Sequence, residues 1–299
     1  MNLLRILLSA LTLTLANTAS ASDQETEREG GILGTGILGT ITELGSIYVN
    51  GQHIRFAPDF AVTDGITVTN AHQLRPGHTV AVIATPGEDA WQASYIRQII
   101  PLVGPVQSVS SSGFKVMGTT VLTNGIAAND LNVGDWVAVS GLWQSGHVIA
   151  SRVETTPQHG LARIEGSVLD LVSGQPLTIG GTRITGLLPR HIQEGDVVRA
   201  VGTASRETVQ VTRLDTGVFS GEPQIVLSEG FFSAPRSSGF YTLLGSDIVS
   251  YTSNPAMIDP ASKQFVCSSK GEIFSVPIHH NQAQEVAAIL ENCISNAAE

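Results

Sequence analysis

A nine-residue frame, aliphatic-x-x-Gly-x-x-Val-x-small, occurs three times in the chain, over Leu74–Val82, Leu131–Val139 and Ile192–Ala200. Seventeen positions after each glycine stands a hydroxyl residue, then a larger side chain and an aliphatic: Ser94-Tyr95-Ile96, Ser151-Arg152-Val153 and Thr212-Arg213-Leu214. An identical offset in every copy implies one small β unit repeated three times, over 32–101, 102–160 and 161–218. Units of roughly 60 residues lie near the lower limit for independent stability, so neighbours are expected to lean on each other.

Within each unit the local signals are those of strands. In the second copy Gly104–Val109 alternates, Ser111-Ser112-Gly113 turns, and Phe114–Val116 and Val121-Leu122 give further short runs. Five short strands per copy result, with an extra hairpin over Ala57–Asn70 in the longer first copy. Closing each set into a partly open Greek-key barrel of the OB type removes the edges that three small sheets would expose. The repeated glycine falls where the chain turns into a central strand and favours a positive φ. By the period of two, Val80 and Val82, Val137 and Val139, and Val198 and Ala200 face the cores.

The two ends read differently. Arg5, an apolar run from Ile6 to Leu15 and the triplet Ala19-Ser20-Ala21 form a signal peptide, with cleavage expected after Ala21. The apolar run is too short to span a bilayer, so the mature chain is expected to be periplasmic or secreted, without stable membrane insertion. Residues 22–31 carry no apolar side chain and read as a disordered leader. After Val218 the frame stops, aromatics concentrate in a Ser- and Gly-rich stretch, and Val286, Ile289, Leu290 and Cys293 share one helical stripe behind Asn281 and Gln284. The fold class expected is therefore mainly β: three tandem small OB-like barrels plus a C-terminal α+β tail over 219–299, with one helix near 282–294.

Net charge is −10, and −11 once Arg5 is removed; no repeat carries a run of Lys and Arg. Nucleic acid, which is held by clustered cations, is not expected as a partner. Gly34-Thr35-Gly36-Ile37-Leu38-Gly39 matches the dinucleotide fingerprint by letter, but it runs into a hairpin pattern rather than a helix. It reads as a doubled Ile-Leu-Gly-Thr strand, and no cofactor is implied.

The chain has two cysteines, Cys267 and Cys293, both in the tail. In an oxidising compartment they are expected to pair as a disulfide. The competing reading adds His279 and His280 to make a Cys2His2 metal site, although the spacing is not that of a zinc finger. The other six histidines lack ligand spacing, and no Gly-x-Ser-x-Gly elbow is present. Asp135 and Asp196 directly follow the turn glycine, where local backbone hydrogen bonding suits them better than acid–base chemistry. Trp136 and Trp143 are the candidates for recognition. Trp136 replaces Thr79 and Val197 of the other copies, and it is expected to pack between adjacent barrels, with a ligand platform as the alternative.

Gly39-Thr40-Ile41 followed by Gly45–Gly51, and Leu131-x-x-Gly134-Asp135-x-Val137, resemble an uncharacterised family of exported bacterial proteins built from tandem small β-barrels, the domain of unknown function family 5666. The resemblance spans 32–218. It implies the fold and no catalytic residue. Pro76 and His78 depart from the Gly-Asp form in the first copy. The function expected is that of an exported, non-enzymatic binding or scaffolding protein whose partner is an envelope protein or a small polar ligand. The alternative is a metal-dependent or redox protein centred on the Cys/His tail.

Overall fold

In the computed structural model the described residues are 34–273, except 127, 129, 158, 159, 173, 187–190 and 238, together with 278, 279 and 293. The signal peptide and the 22–31 leader expected from the sequence lie outside them, as does the helix expected over 282–294 apart from Cys293. The described elements are strands and two 310 turns, Ala71–Gln73 and Pro255–Met257.

The first repeat supplies β1 (Thr35–Leu44), β2 (Ile47–Val49), β3 (Gln52–Arg55), β4 (Thr79–Pro86) and β5 (Trp91–Ile99). They pair in the order β2-β3-β5-β4-β1, and β1 pairs again with β2, closing a five-stranded barrel. The second supplies β6 (Leu102–Ser110), β7 (Gly113–Val116), β8 (Thr119–Leu122), β9 (Trp136–Gln144) and β10 (His147–Thr155), closed the same way by β6 against β9. The third supplies β11 (Ala162–Ser167), β12 (Leu177–Ile179), β13 (Thr182–Gly186), β14 (Val197–Ser205) and β15 (Thr208–Thr216) in the same order. Two of the three expected barrels are closed; in the third set, among the described residues, no ladder joins β11 to β12. Third and fifth strands run parallel in every copy.

The repeated residues have repeated jobs. Gly77, Gly134 and Gly195 have φ of 90°, 99° and 99°, the left-handed region that a Cβ disfavours. Their N–H groups donate to Ile41, Val106 and Val168 O at 2.9, 2.9 and 2.7 Å, which ties each turn to its first strand or that strand's end. Asp135 and Asp196 act locally as expected, accepting from the N–H of Asn132 at 2.8 Å and of Gln193 at 2.7 Å. In the first copy His78 does the same with Nδ1, accepting from Arg75 N–H at 3.1 Å, so the departure at this position preserves the turn. The hydroxyl residue seventeen positions on marks a β-bulge in all three copies: Ser94, Ser151 and Thr212 are the residues skipped in the ladders of β5, β10 and β15. Ser94 and Thr212 donate back across the bulge to Ile83 O and Val201 O, both at 3.2 Å. Each bulge bends a long hairpin over a small core. Val80, Val82, Val137, Val139, Val198 and Ala200 are all completely buried, as the period of two predicted.

The tail supplies β16 (Ile225–Gly230), β17 (Phe240–Thr242), β18 (Val249–Tyr251), β19 (Gln264–Ser269), β20 (Glu272–Ile273) and β21 (Ile278–His279). β16 adds to the first barrel, pairing in parallel with β1 at Gly36–Leu38, and β19 pairs with β16. The reason is geometric. The short β2 covers β1 only at Ile41–Leu44, which leaves the edge at 36–38 open, and the tail fills it. The hairpin expected over Ala57–Asn70 is reduced to a single bridge, Ala61 to Asn70, beyond which Thr63 bridges Arg97 and carries Asp64 toward the third repeat. The second and third sets join into one ten-stranded sheet through β6 and β11.

Candidate functional site

The repeats meet around ions. Arg97 of β5 is 3% exposed; its Nη1 donates to Gly217 O and Val218 O, both at 2.8 Å, and its Nη2 to the Glu165 carboxylate of β11. Asp64 Oδ2 lies 3.2 Å from Arg97 Nε and 2.9 Å from Arg199 Nη1, and Asp64 O accepts from Arg163 at 2.8 Å. Arg199 continues to Asp215 at 2.9 Å, which also pairs with the exposed Arg213 at 3.1 Å. Burial pushes the Glu165 carboxyl up, against the pull of Arg97, Arg199 and Arg163. Burial likewise lowers Arg163. Sequence reasoning missed this network. The one local signal was Arg199, which interrupts a strand position held by Ala81 and Ala138 in the other copies.

The tryptophans flank this junction with different roles. Trp143, a candidate for recognition, is 5% exposed, and its indole N–H donates to Glu165 O at 2.7 Å. Its ring lies over Gly166 of β11 and Gly180 beyond β12, where a Cβ would stand 2.8 and 2.7 Å from the indole. Ile179 meets Gly166 from the β12 side, so side chains fill the seam that hydrogen bonds leave open in the third set. Trp136 is half-buried against the core of the ten-stranded sheet. It lines a cleft of about 350 Å³ with Leu161, Arg163, Val201 and Arg213 of the third repeat and Ile66 of the first. Trp136 thus touches the core on one side and the cleft on the other.

A second joint links the two closed barrels. His78, fully buried, accepts at Nδ1, which leaves Nε2–H to donate to Glu154 Oε2 at 2.8 Å. Thr67 donates to the same oxygen at 2.6 Å and Arg152 Nη2 lies 2.9 Å from Oε1. The second copy's bulge hydroxyl is redirected here, Ser151 Oγ donating to Gly77 O at 2.6 Å. Burial raises the Glu154 carboxyl, but the donors together outweigh it and hold its pKa at about 2, against an ordinary 4.5. A folded pKa below the unfolded one means stabilisation that is complete above pH 4.5 and is lost as pH falls toward 2. Glu154→Gln is therefore expected to lower stability at pH 7 and to flatten the acid limb between those values. Urea unfolding at pH 7 and at pH 3 checks this, and an acid limb as steep as wild type's would exclude it.

The remaining candidates fall into structural places. A Cβ at Gly34 would approach Ala84 O, at Gly36 it would strike Phe219 and Pro223, and at Gly39 it would overlap Asn50. Each glycine of the fingerprint therefore makes room for a neighbour. Cys267 and Cys293 form the expected disulfide, with Cα atoms 6.0 Å apart and both residues buried. Closing a loop of this length is worth about 3.5 kcal/mol in the chain-entropy model. With both sulfurs so bonded, the Cys2His2 site is not assembled: His279 sits in β21 opposite Gln264, and His280 lies outside the described residues.

Among known proteins, residues 103–154 match the family described as Domain of unknown function (DUF5666). That span runs from β6 into β10 and is the second barrel almost entire. No curated protein and no solved structure matches the chain.

Proposed function

We propose that this chain, whose second barrel is a DUF5666 domain, is an exported binding or scaffolding protein of the periplasm or extracellular space, without enzymatic activity or cofactor. In this reading all three repeats are OB-type units, the third being an open copy sealed by Trp143. The partner is another envelope protein or a small polar ligand, and nucleic acid is not one.

The observation that carries the reading is the Trp136 cleft. It places an aromatic face beside Arg163 and Arg213 at a junction held by buried ion pairs, and such combinations of aromatic and Arg anchors dominate binding energy in recognition surfaces. Arg213 is 57% exposed, so one guanidinium is open to a partner. The buried ions support scaffolding in another way: Arg97, Arg163 and Arg199 are engaged in joining the repeats inside the protein, which withholds these three cations from phosphates.

The test is site-specific crosslinking in cells from a photoreactive residue at position 136, with Arg213→Ala in the same background. One dominant adduct that Arg213→Ala abolishes is expected. Trp136→Ala should cost roughly half of the 3–5 kcal/mol usual for a fully buried Trp, because one face is already open. Absence of any adduct, or adducts indifferent to Arg213, would overturn the reading.

A further inference from the structure

A second cleft, of about 830 Å³, opens on the other side of the tail, between the segment that leaves β15 and the sheet of β16 and β19. Parity along the strands determines its floor. Leu227, Phe265 and Cys267 face the first barrel's core, so Val226, Ser228 and Ser268 face the opposite side and line the cleft. Ser228 and Ser268 are completely buried, and among the described residues neither hydroxyl oxygen has a hydrogen-bond partner. Buried polar atoms are almost always paired, so two bare hydroxyls on one cleft floor point to a group that comes from outside.

The rim narrows what that group is. Asp196, Glu222 and Asp247 stand there against one cation among the described residues, Lys270, a balance that disfavours anions. Asp247 already accepts from Val197 N–H and Val218 N–H, both at 2.9 Å, and Asp196 from Gln193 N–H, so these carboxylates are partly satisfied acceptors rather than bare charges awaiting a cation. Phe219 and Pro223 give an apolar wall. A serine hydroxyl both donates and accepts, and its natural complement is another hydroxyl. The volume lies within the ordinary range for small-molecule sites.

We propose that this cleft binds a neutral, hydroxyl-rich small molecule, a carbohydrate of one or two rings, whose hydroxyls pair with Ser228 and Ser268 while its C–H face lies on Phe219 and Pro223. The site shares no lining residue with the Trp136 cleft, so the two readings stand or fall separately.

Isothermal titration of the mature chain with neutral mono- and disaccharides, with glucuronate and with putrescine tests it. At least one neutral sugar is expected to bind, with Ser228→Ala and Ser268→Ala each weakening it tenfold or more and Trp136→Ala leaving it unchanged. Both serine variants delete bare hydroxyls, so their melting temperatures should hold or rise. No binding by any neutral sugar at 20 mM, binding confined to glucuronate or putrescine, or sugar affinity indifferent to both serines would each overturn the proposal.

Discussion

Arg97→Met is expected to destabilise the protein by about 3 to 5 kcal/mol, the usual cost of breaking a buried ion pair from one side. Arg97 is the residue on which the first and third repeats converge. Its removal leaves Glu165, 2% exposed, without its charge partner, and strips a donor from Gly217 O and Val218 O. A loss of that size is a large part of an ordinary domain's 5–15 kcal/mol. The signature is in the second substitution and in pH. Adding Glu165→Gln should recover much of the loss, since the orphaned charge goes with it. The Glu165 carboxyl is already pushed up by burial, so its ionisation in the folded state costs stability as pH rises through the folded pKa. The deficit of Arg97→Met should therefore be smallest below the ordinary carboxylate value of 4.5, and widen above it. Urea unfolding of the single and double variants at pH 4 and pH 7 reads all of this. A deficit independent of pH, with no recovery in the double variant, would mean that packing and not the charge pair holds the joint.

Trp143→Ala should cost a similar amount, about 3 to 5 kcal/mol, as a buried aromatic that leaves a cavity. Its effect is expected to be uneven across the molecule. Trp143 belongs to the second barrel, which is closed by its own ladders, but the indole fills the seam of the third set, where among the described residues β11 and β12 share no ladder. Losing it also leaves Glu165 O without the indole donor. Amide exchange should thus accelerate most in β12 and β13, and least in β7 and β8. Uniform acceleration would place Trp143 in a shared core rather than in the seam.

Much of the fold was legible in sequence because it is local. Turn glycines, the acids after them and alternating valines each act within a few residues, and every such assignment that the described residues reach holds. Even the bulges were written in the seventeen-residue offset, although Ser94, Ser151 and Thr212 first read only as repeat markers. The sites were far less legible. Trp136 and Trp143 lie seven residues apart in one strand and are both recognition candidates by sequence, yet parity sends Trp143 inward with the core valines and leaves Trp136 at a cleft.

The sequence by itself determined the repeat, its strands, its turns and the inward faces, because hydrophobic period and backbone conformation are properties of neighbouring residues. Tertiary structure decided what lies opposite what. Asp64, Arg97, Glu165 and Arg199 form one network though spread over more than a hundred positions, the tail extends the first barrel because β2 is short, and Ser228 and Ser268 become a cleft floor because β16 and β19 pair. Alternation says which way a side chain points from its own strand; it carries no information about which distant strand, and which charge, it will meet there.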